Sequence, residues 1–120
     1  MGARWFQRAV GEGDLRLRAA RGLAIEIFEK AWQTVCAGRE PALELQVEMR
    51  SVTTLVTDVA LDITTLAFRY GGGSAIHLSS ILQRCLRDLQ AGAAHFMVSD
   101  VAYELHGQCL LGAANVEPMA

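Results

Sequence analysis

Apolar residues return every three or four positions along three long stretches of this chain, the spacing of one face of an α-helix. In the first stretch Ala20, Leu23, Ala24, Ile27, Phe28, Ala31, Trp32 and Val35 share a face. Asp14 is of the residue type that caps helix N-termini, and "CAGREP" supplies Gly38 and Pro41 as a stop, so a helix is predicted from Asp14 to about Ala37. The second helix is predicted from Pro41, as its first helical residue, to Tyr70. Leu45, Met49, Val52, Val56, Val59, Ile63, Leu66 and Tyr70 alternate steps of four and three without a break. The β-branched density of "SVTTLVTDVALDITTL" favours strand on local propensity, but the sustained helical period outweighs it. Three glycines in "YGGGS" then break the chain. Ser79 or Ser80 caps a third long helix whose apolar stripe is Leu82, Leu86, Leu89, Ala93 and Phe96. Gly92 weakens it near "AGAAH", where a kink is expected, and it continues to Gly112.

These elements predict an all-α fold of three long antiparallel helices in one domain, residues 14–112. Residues 1–13 form an unassigned N-terminal segment and 113–120 a tail, both expected to be loosely held. The helices carry more apolar width than two neighbours require. Phe28 and Trp32 face one side of the first helix, and Ile27 and Val35 another. A fourth helix or a partner chain would complete the burial, so an oligomer, or a piece of something longer, is expected.

Composition narrows the function classes. Hydrophobic residues make up 52% of the 120 positions, yet no run reaches the ~20 uncharged apolar residues of a membrane span. The N-terminus lacks the apolar run of a secretory signal, and Glu12 and Asp14 argue against a transit peptide, so the cytoplasm is expected. A net charge of −2 gives no basis for binding nucleic acid. Cys36, Cys85 and Cys109 are far apart and read as small buried hydrophobes. His77, His95 and His106 form no ligand cluster, and no metal site is expected.

One polar stripe raises a chemical question. On a helix, Arg84, Asp88, Ala91 and His95 fall at i, i+4, i+7 and i+11, with Arg87 alongside. The plain reading is a solvated face with an Arg84–Asp88 pair worth a few tenths of a kcal/mol. The sharper reading is a charged face lining a ligand site, with His95 as its chemical group.

The segment "FRYGGGSAIHLSSILQRCLRDLQAGAAHFMVSDVAYELHGQCLLG" joins a Gly-Gly turn, "LQR", "RD" and a histidine eight residues after that arginine, here Gly72–Gly73, Leu82–Arg84, Arg87–Asp88 and His95. This ordered set resembles the C-terminal helical domain of the acyl-CoA dehydrogenase superfamily. It is most similar to the branch of two-component flavin-dependent monooxygenases that includes dibenzothiophene monooxygenase and the oxygenase component of 4-hydroxyphenylacetate hydroxylase. "AARG" and Trp32 in the first helix, and the long second helix, also fit, so the resemblance covers about Asp14 to Gly112. Family members are much longer chains, with an N-terminal helical domain and a middle β-domain before a four-helix bundle. The resemblance therefore implies an incomplete four-helix up-and-down bundle, lacking its first helix and the arginine-bearing turn after it. Alone, such a chain is expected to be inactive.

The resemblance implies a site. In the family, the Gly-Gly turn lies close to the phosphate end of a flavin bound by a neighbouring subunit, which here implicates Gly71, Gly72, Gly73 and Ser74, with Arg69 as a charge partner. Glycine backbone before a helix suits an anion, since it exposes N–H groups without side chains in the way; a simple interhelical turn is the competing reading. The resemblance puts His95 beside the reactive edge of the flavin, where the family histidine helps form and hold the flavin hydroperoxide; an imidazole exchanges protons near neutral pH. No "YEGT"-like segment carries the glutamate base of true acyl-CoA dehydrogenases, which favours oxygenation. Arg84, Arg87 and Asp88 are read as structural charge pairing that orients the helix and pairs with other elements, rather than as chemical groups. Phe96, Met97 and Tyr103 are core or pocket residues, His77 and His106 surface or cap residues, and Gly107 and Gly112 helix-ending or close-packing positions.

The implied partners are reduced FMN or FAD, a flavin reductase that supplies it, a small apolar or aromatic substrate, and further copies of the chain, as in the family's tetramers. Neither nucleic acid nor membrane is expected. Two alternatives stand beside this reading. One is an acyl-CoA dehydrogenase with bound FAD; the other is a stand-alone helical oligomerisation module without cofactor.

Overall fold

The computed structural model describes residues 3–70, 80–95, 97–113 and 115–118. Four helices follow one another: α1 (Ala3–Cys36), α2 (Leu43–Tyr70), α3 (Ile81–Ala93) and α4 (Asp100–Leu110), with no strand among the described residues. The ends of α1 and α4 show why they stop. Gly38 and Gly112 adopt positive φ of 77° and 78°, a conformation that a Cβ makes costly. Each lets the next amide reach back to a helix carbonyl, Arg39 to Thr34 at 3.1 Å and Ala113 to Gln108 at 2.9 Å.

α1 and α2 run antiparallel. Phe6 meets Tyr70 edge-to-face with ring centroids 5.0 Å apart, Gly13 lies against Ile63, and Arg16 pairs with Asp62 at 3.1 Å. Among the described residues, α1, α3 and α4 each pack on α2. α2 is therefore the central helix. It is long and apolar enough to cross a membrane by length and composition, a nearer approach to a span than its scattered charges suggest. Yet two acids in that stretch are tied to neighbouring helices, Asp62 to Arg16 and Asp58 to the Tyr103 hydroxyl.

The buried apolar residues lie mainly along α2 and what touches it. Val47 joins Leu105 and Val116, with Cys109 packed beside them, while Ala20, Ile27, Ala31, Val52 and Val59 are buried between helices. The apolar width noted in the sequence stays open. Ile25, Phe28, Trp32 and Val35 form an exposed stripe on α1, Trp32 at 65%. The accessible surface is 8312 Å² for 13.0 kDa, roughly 30% above that of a self-contained monomer of this mass. The radius of gyration is 17.4 Å, against about 14 Å for a compact chain of this length. These helices bury one side of themselves and leave another for something else.

Several expectations need correction. α1 begins at Ala3, not Asp14, because Phe6 and Gly13 continue onto α2 and give residues 3–13 a surface to hold. Asp14 pairs with Arg18 inside the helix instead, at 3.5 Å. α2 starts at Leu43, with the Pro41 carbonyl just ahead accepting from the Gln46 side chain at 2.9 Å. The expected third helix is broken outright between Ala93 and Asp100. The tail is not loose throughout, since Val116 is in the core and the Pro118 carbonyl accepts from Arg50 at 2.9 Å. Cys36 and Cys85 are exposed rather than buried, and only Cys109 is half-buried. Cys36 sits at the very end of α1, and α3 has no buried residue at all, which accounts for both.

Candidate functional site

The break between α3 and α4 carries His95. Ser80 occupies the N-cap position of α3 without a side-chain cap bond, and Ser99 does the same for α4. Gly92 has open space where a Cβ would be, so its effect is the weak helix propensity of glycine rather than close packing. The chain leaves α3 through a tight turn in which the His95 amide donates to Gly92 at 3.1 Å and the Val98 amide donates to His95 at 2.9 Å. His95 is exposed there and no longer shares a helical stripe with Arg84, Asp88 and Ala91. Its Nδ1 accepts from the Met97 amide at 3.2 Å, which leaves the neutral ring's proton on Nε2.

The groups predicted for charge pairing stay on the surface. Arg84 approaches Asp88 at 3.9 Å, with side chains 71% and 73% exposed, and Arg87 is exposed beside them. This is the solvated i,i+4 pair of the plain reading. Arg69 is exposed in the last turn of α2. Gly71, Gly72, Gly73 and Ser74 lie outside the described residues, as do His77, Ser79 and Phe96. Gly107 has nothing within 4 Å of a Cβ position and so is no close-packing glycine. No group of three His, Cys, Asp or Glu side chains stands together among the described residues.

Three polar features were missed in the sequence. Arg50 on α2 is 6% exposed and reaches two carbonyls, Pro118 through Nη1 at 2.9 Å and Met97 through Nε at 3.5 Å. Thr54, one turn further and 1% exposed, directs its hydroxyl to Met97 as well, at 3.4 Å. The third is the Tyr103 hydroxyl, which donates to Asp58 at 2.6 Å. Burial raises the Tyr103 phenol above its usual 10.0, and the Asp58 bond, the Asp58 charge and the Asp100 charge add to the rise.

Tyr103 and His106 line a groove of about 470 Å³ between α1 and α4, floored by Ser51, Val52 and Leu55 of α2. The buried Nδ1 of His106 has no hydrogen-bond partner among the described residues. A second groove, about 420 Å³, runs between the start of α1 and the end of α2 and is lined by Trp5, Arg8, Ile63, Leu66 and Tyr70. Both lie beside α1, where the bundle is open.

The family model for the acyl-CoA dehydrogenase C-terminal domain matches residues 3–100, most of the chain. The chain belongs to this family. Among its relatives, indole-3-acetate monooxygenase of Pseudomonas putida is 30% identical over 103 residues, 86% of this chain and 26% of that protein. Pigment production hydroxylase of Rhodococcus erythropolis is 30% identical over 87 residues, 72% of this chain and 22% of that one. This member of the family thus spans about a quarter of the length of the curated relatives it matches.

Solved structures of the same fold include the HsaA monooxygenase from M. tuberculosis, with a TM-score of 0.86 and 22% identity. The 3-HSA hydroxylase from Rhodococcus sp. RHA1 superposes with a TM-score of 0.85 and 23% identity. Each alignment covers 98% of this chain and 31% of the other. The likeness takes in all four helices of this acyl-CoA dehydrogenase C-terminal domain, including the first turns of α1 that the sequence left unassigned.

Proposed function

We propose that this chain is the C-terminal helical portion of a flavin-dependent monooxygenase that oxygenates a small aromatic or otherwise apolar substrate, using reduced FMN or FAD delivered by a separate reductase. The observation that carries the reading is the family match over residues 3–100 with His95 set on an exposed turn inside it. Relatives named for oxygenation, one of them for indole-3-acetate, support the monooxygenase side over acyl thioester dehydrogenation.

The chemistry of the donor set fits a flavin. When bound, the reduced flavin supplies the electrons that activate oxygen. His95 is an exposed imidazole whose Nδ1 is already engaged, so its neutral form presents an N–H at Nε2 and can hold or return a proton there. Arg69 at the exposed end of α2 would supply a cation to the phosphate end, and Gly71, Gly72, Gly73 and Ser74, outside the described residues, would offer it backbone N–H groups. Arg84, Arg87 and Asp88 are assigned to charge pairing that orients α3, rather than to the chemistry. The open stripe of Ile25, Phe28, Trp32 and Val35 supports assembly with the rest of the enzyme and with further copies. That same stripe favours, as a second reading, a helical association module that has kept its contacts without catalysis.

The test uses the full-length product of the gene, with reduced flavin from an NADH-driven reductase and indole-3-acetate as the first aromatic probe. His95→Gln should lower hydroxylated product by about 100-fold or more, the lower end for loss of a general acid-base group. An unchanged product rate in His95→Gln removes the assigned role. Oxygen-independent desaturation of an acyl thioester selects the dehydrogenase, and absence of any flavin-dependent turnover selects the association module.

A further inference from the structure

The guanidinium of Arg50 is almost completely withdrawn from water, and a buried cation is tolerated only where its donors are met. Its position explains where they go. Val47, Arg50, Ser51 and Thr54 follow one another at helical spacing along the face of α2 that is buried. From that face Arg50 spans the end of the chain at Pro118 and the turn at Met97. The Met97 carbonyl lies between α3 and α4, outside either helix, and side chains of α2 supply its hydrogen bonds: Arg50 Nε at 3.5 Å and Thr54 Oγ1 at 3.4 Å. Thr54 has one hydroxyl proton, which it shares between Met97 and the Arg50 carbonyl, also at 3.4 Å. Both contacts are longer than a strong hydrogen bond, so the Met97 carbonyl is held by two weak bonds from one helix face.

Met97 also faces the other way. Its amide is the donor to His95 Nδ1 at 3.2 Å. The residue whose carbonyl is held by α2 is therefore the residue whose N–H fixes the imidazole. We propose that Arg50 and Thr54 are positioning residues for His95, acting through the backbone of Met97 to hold the ring in the Nε2–H tautomer and in one orientation. Val116, buried against Val47 and Leu105, and the Pro118 carbonyl on Arg50 bring the C-terminal segment into the same clamp. The tail thereby helps set the histidine some twenty residues before it. The functional weight of this arrangement rests on the reading of His95 as the group beside flavin, but the coupling itself is a property of this chain and is measured without flavin.

The experiment is NMR on the 120-residue chain at a pH where imidazole is neutral, with the His95 signals assigned by comparison with His95→Gln. Thr54→Val keeps the side-chain shape and removes the hydroxyl, Thr54→Ser keeps the hydroxyl, and Arg50→Lys keeps the charge while losing the two-nitrogen reach. Hydrogen exchange at the Met97 amide should be at least tenfold faster in Thr54→Val and Arg50→Lys than in wild type, and near wild type in Thr54→Ser. The ¹⁵N shifts of His95 should move toward those of an unrestrained tautomer mixture in the first two variants only. Exchange along α1 reports that the fold persists. The proposal is overturned if Thr54→Val, still folded, leaves Met97 exchange and the His95 nitrogens unchanged. It is equally overturned if Arg50→Lys frees Val116 without moving His95. Failure of His95→Gln to impair turnover, with these couplings intact, would sink the flavin reading and leave the clamp standing.

Discussion

Tyr103→Phe removes one oxygen that joins α4 to α2 across 45 residues of sequence, at 2.6 Å from the Asp58 carboxylate. A hydrogen bond to a charged group contributes about 1.5–3 kcal/mol. Tyr103 is 37% exposed, and Asp58 is half-buried and can recover water, so solvent screening brings the expected loss to about 1 kcal/mol at neutral pH. The pH dependence has a definite sign. Burial, then Asp58 and Asp100, hold the folded Tyr103 phenol above its usual 10.0, so the folded state keeps this proton more tightly than the unfolded chain. The corresponding stability is fully present below pH ~10 and is lost as pH rises toward the folded value. The limiting slope for one proton is about 1.4 kcal/mol per pH unit, flattened here by partial exposure. Urea unfolding followed by far-UV circular dichroism at pH 7 and between pH 10 and 11 measures both effects. Wild type should lose its advantage over Tyr103→Phe across the alkaline range. A variant within about 0.3 kcal/mol of wild type at pH 7, with a parallel alkaline limb, would refute the assignment of this contact as a stabilising link.

Three further outcomes follow from the packing. Val47→Ala deletes two methyl groups from a site only 1% exposed, and should cost about 2–3 kcal/mol in the same urea assay once the cavity is counted. Asp62→Ala breaks an ion pair whose side chains are 43% and 62% exposed; its cost should stay below about 0.5 kcal/mol and shrink further in high salt. Gly112→Ala has open space for its methyl but a φ of 78°, so it should lower the melting midpoint by an amount equivalent to about 1 kcal/mol. A neutral result there would mean that the end of α4 relaxes without strain.

Much of this architecture was legible because it depends on local spacing. The unbroken steps of three and four from Leu45 to Tyr70 gave α2, and Gly38 and Gly112 end their helices by the positive φ that glycine permits. The open apolar width of α1 was also legible, since Ile27, Phe28, Ala31 and Trp32 make its apolar face wider than α2 covers, which leaves Phe28 and Trp32 exposed beside buried Ile27 and Ala31. What escaped was long-range. Asp14 reads as a cap until Phe6 and Gly13 are known to lie on Tyr70 and Ile63. The break before Asp100 depends on side chains of α2 that meet the Met97 carbonyl, more than 40 positions away in sequence. A signal for Arg50 did exist: it shares the helical face of Val47 and Thr54, a cation at a core position. A polar residue in such a place calls for a partner, but sequence spacing alone does not identify a carbonyl in a distant turn. For the groups around His95, local pattern left a solvated face and a face lining a ligand site both open, and the resemblance chose between them.

The central proposal is that the protein containing this chain uses a reduced flavin to place one atom of molecular oxygen into an aromatic or apolar substrate. The most direct measurement is turnover of the full-length gene product under ¹⁸O₂, with reductase, NADH and flavin present, followed by mass spectrometry of the product. One ¹⁸O atom per product molecule, and no product when the reductase is left out, is the predicted result. A product without label, or a desaturated acyl thioester formed equally well without oxygen, would contradict it.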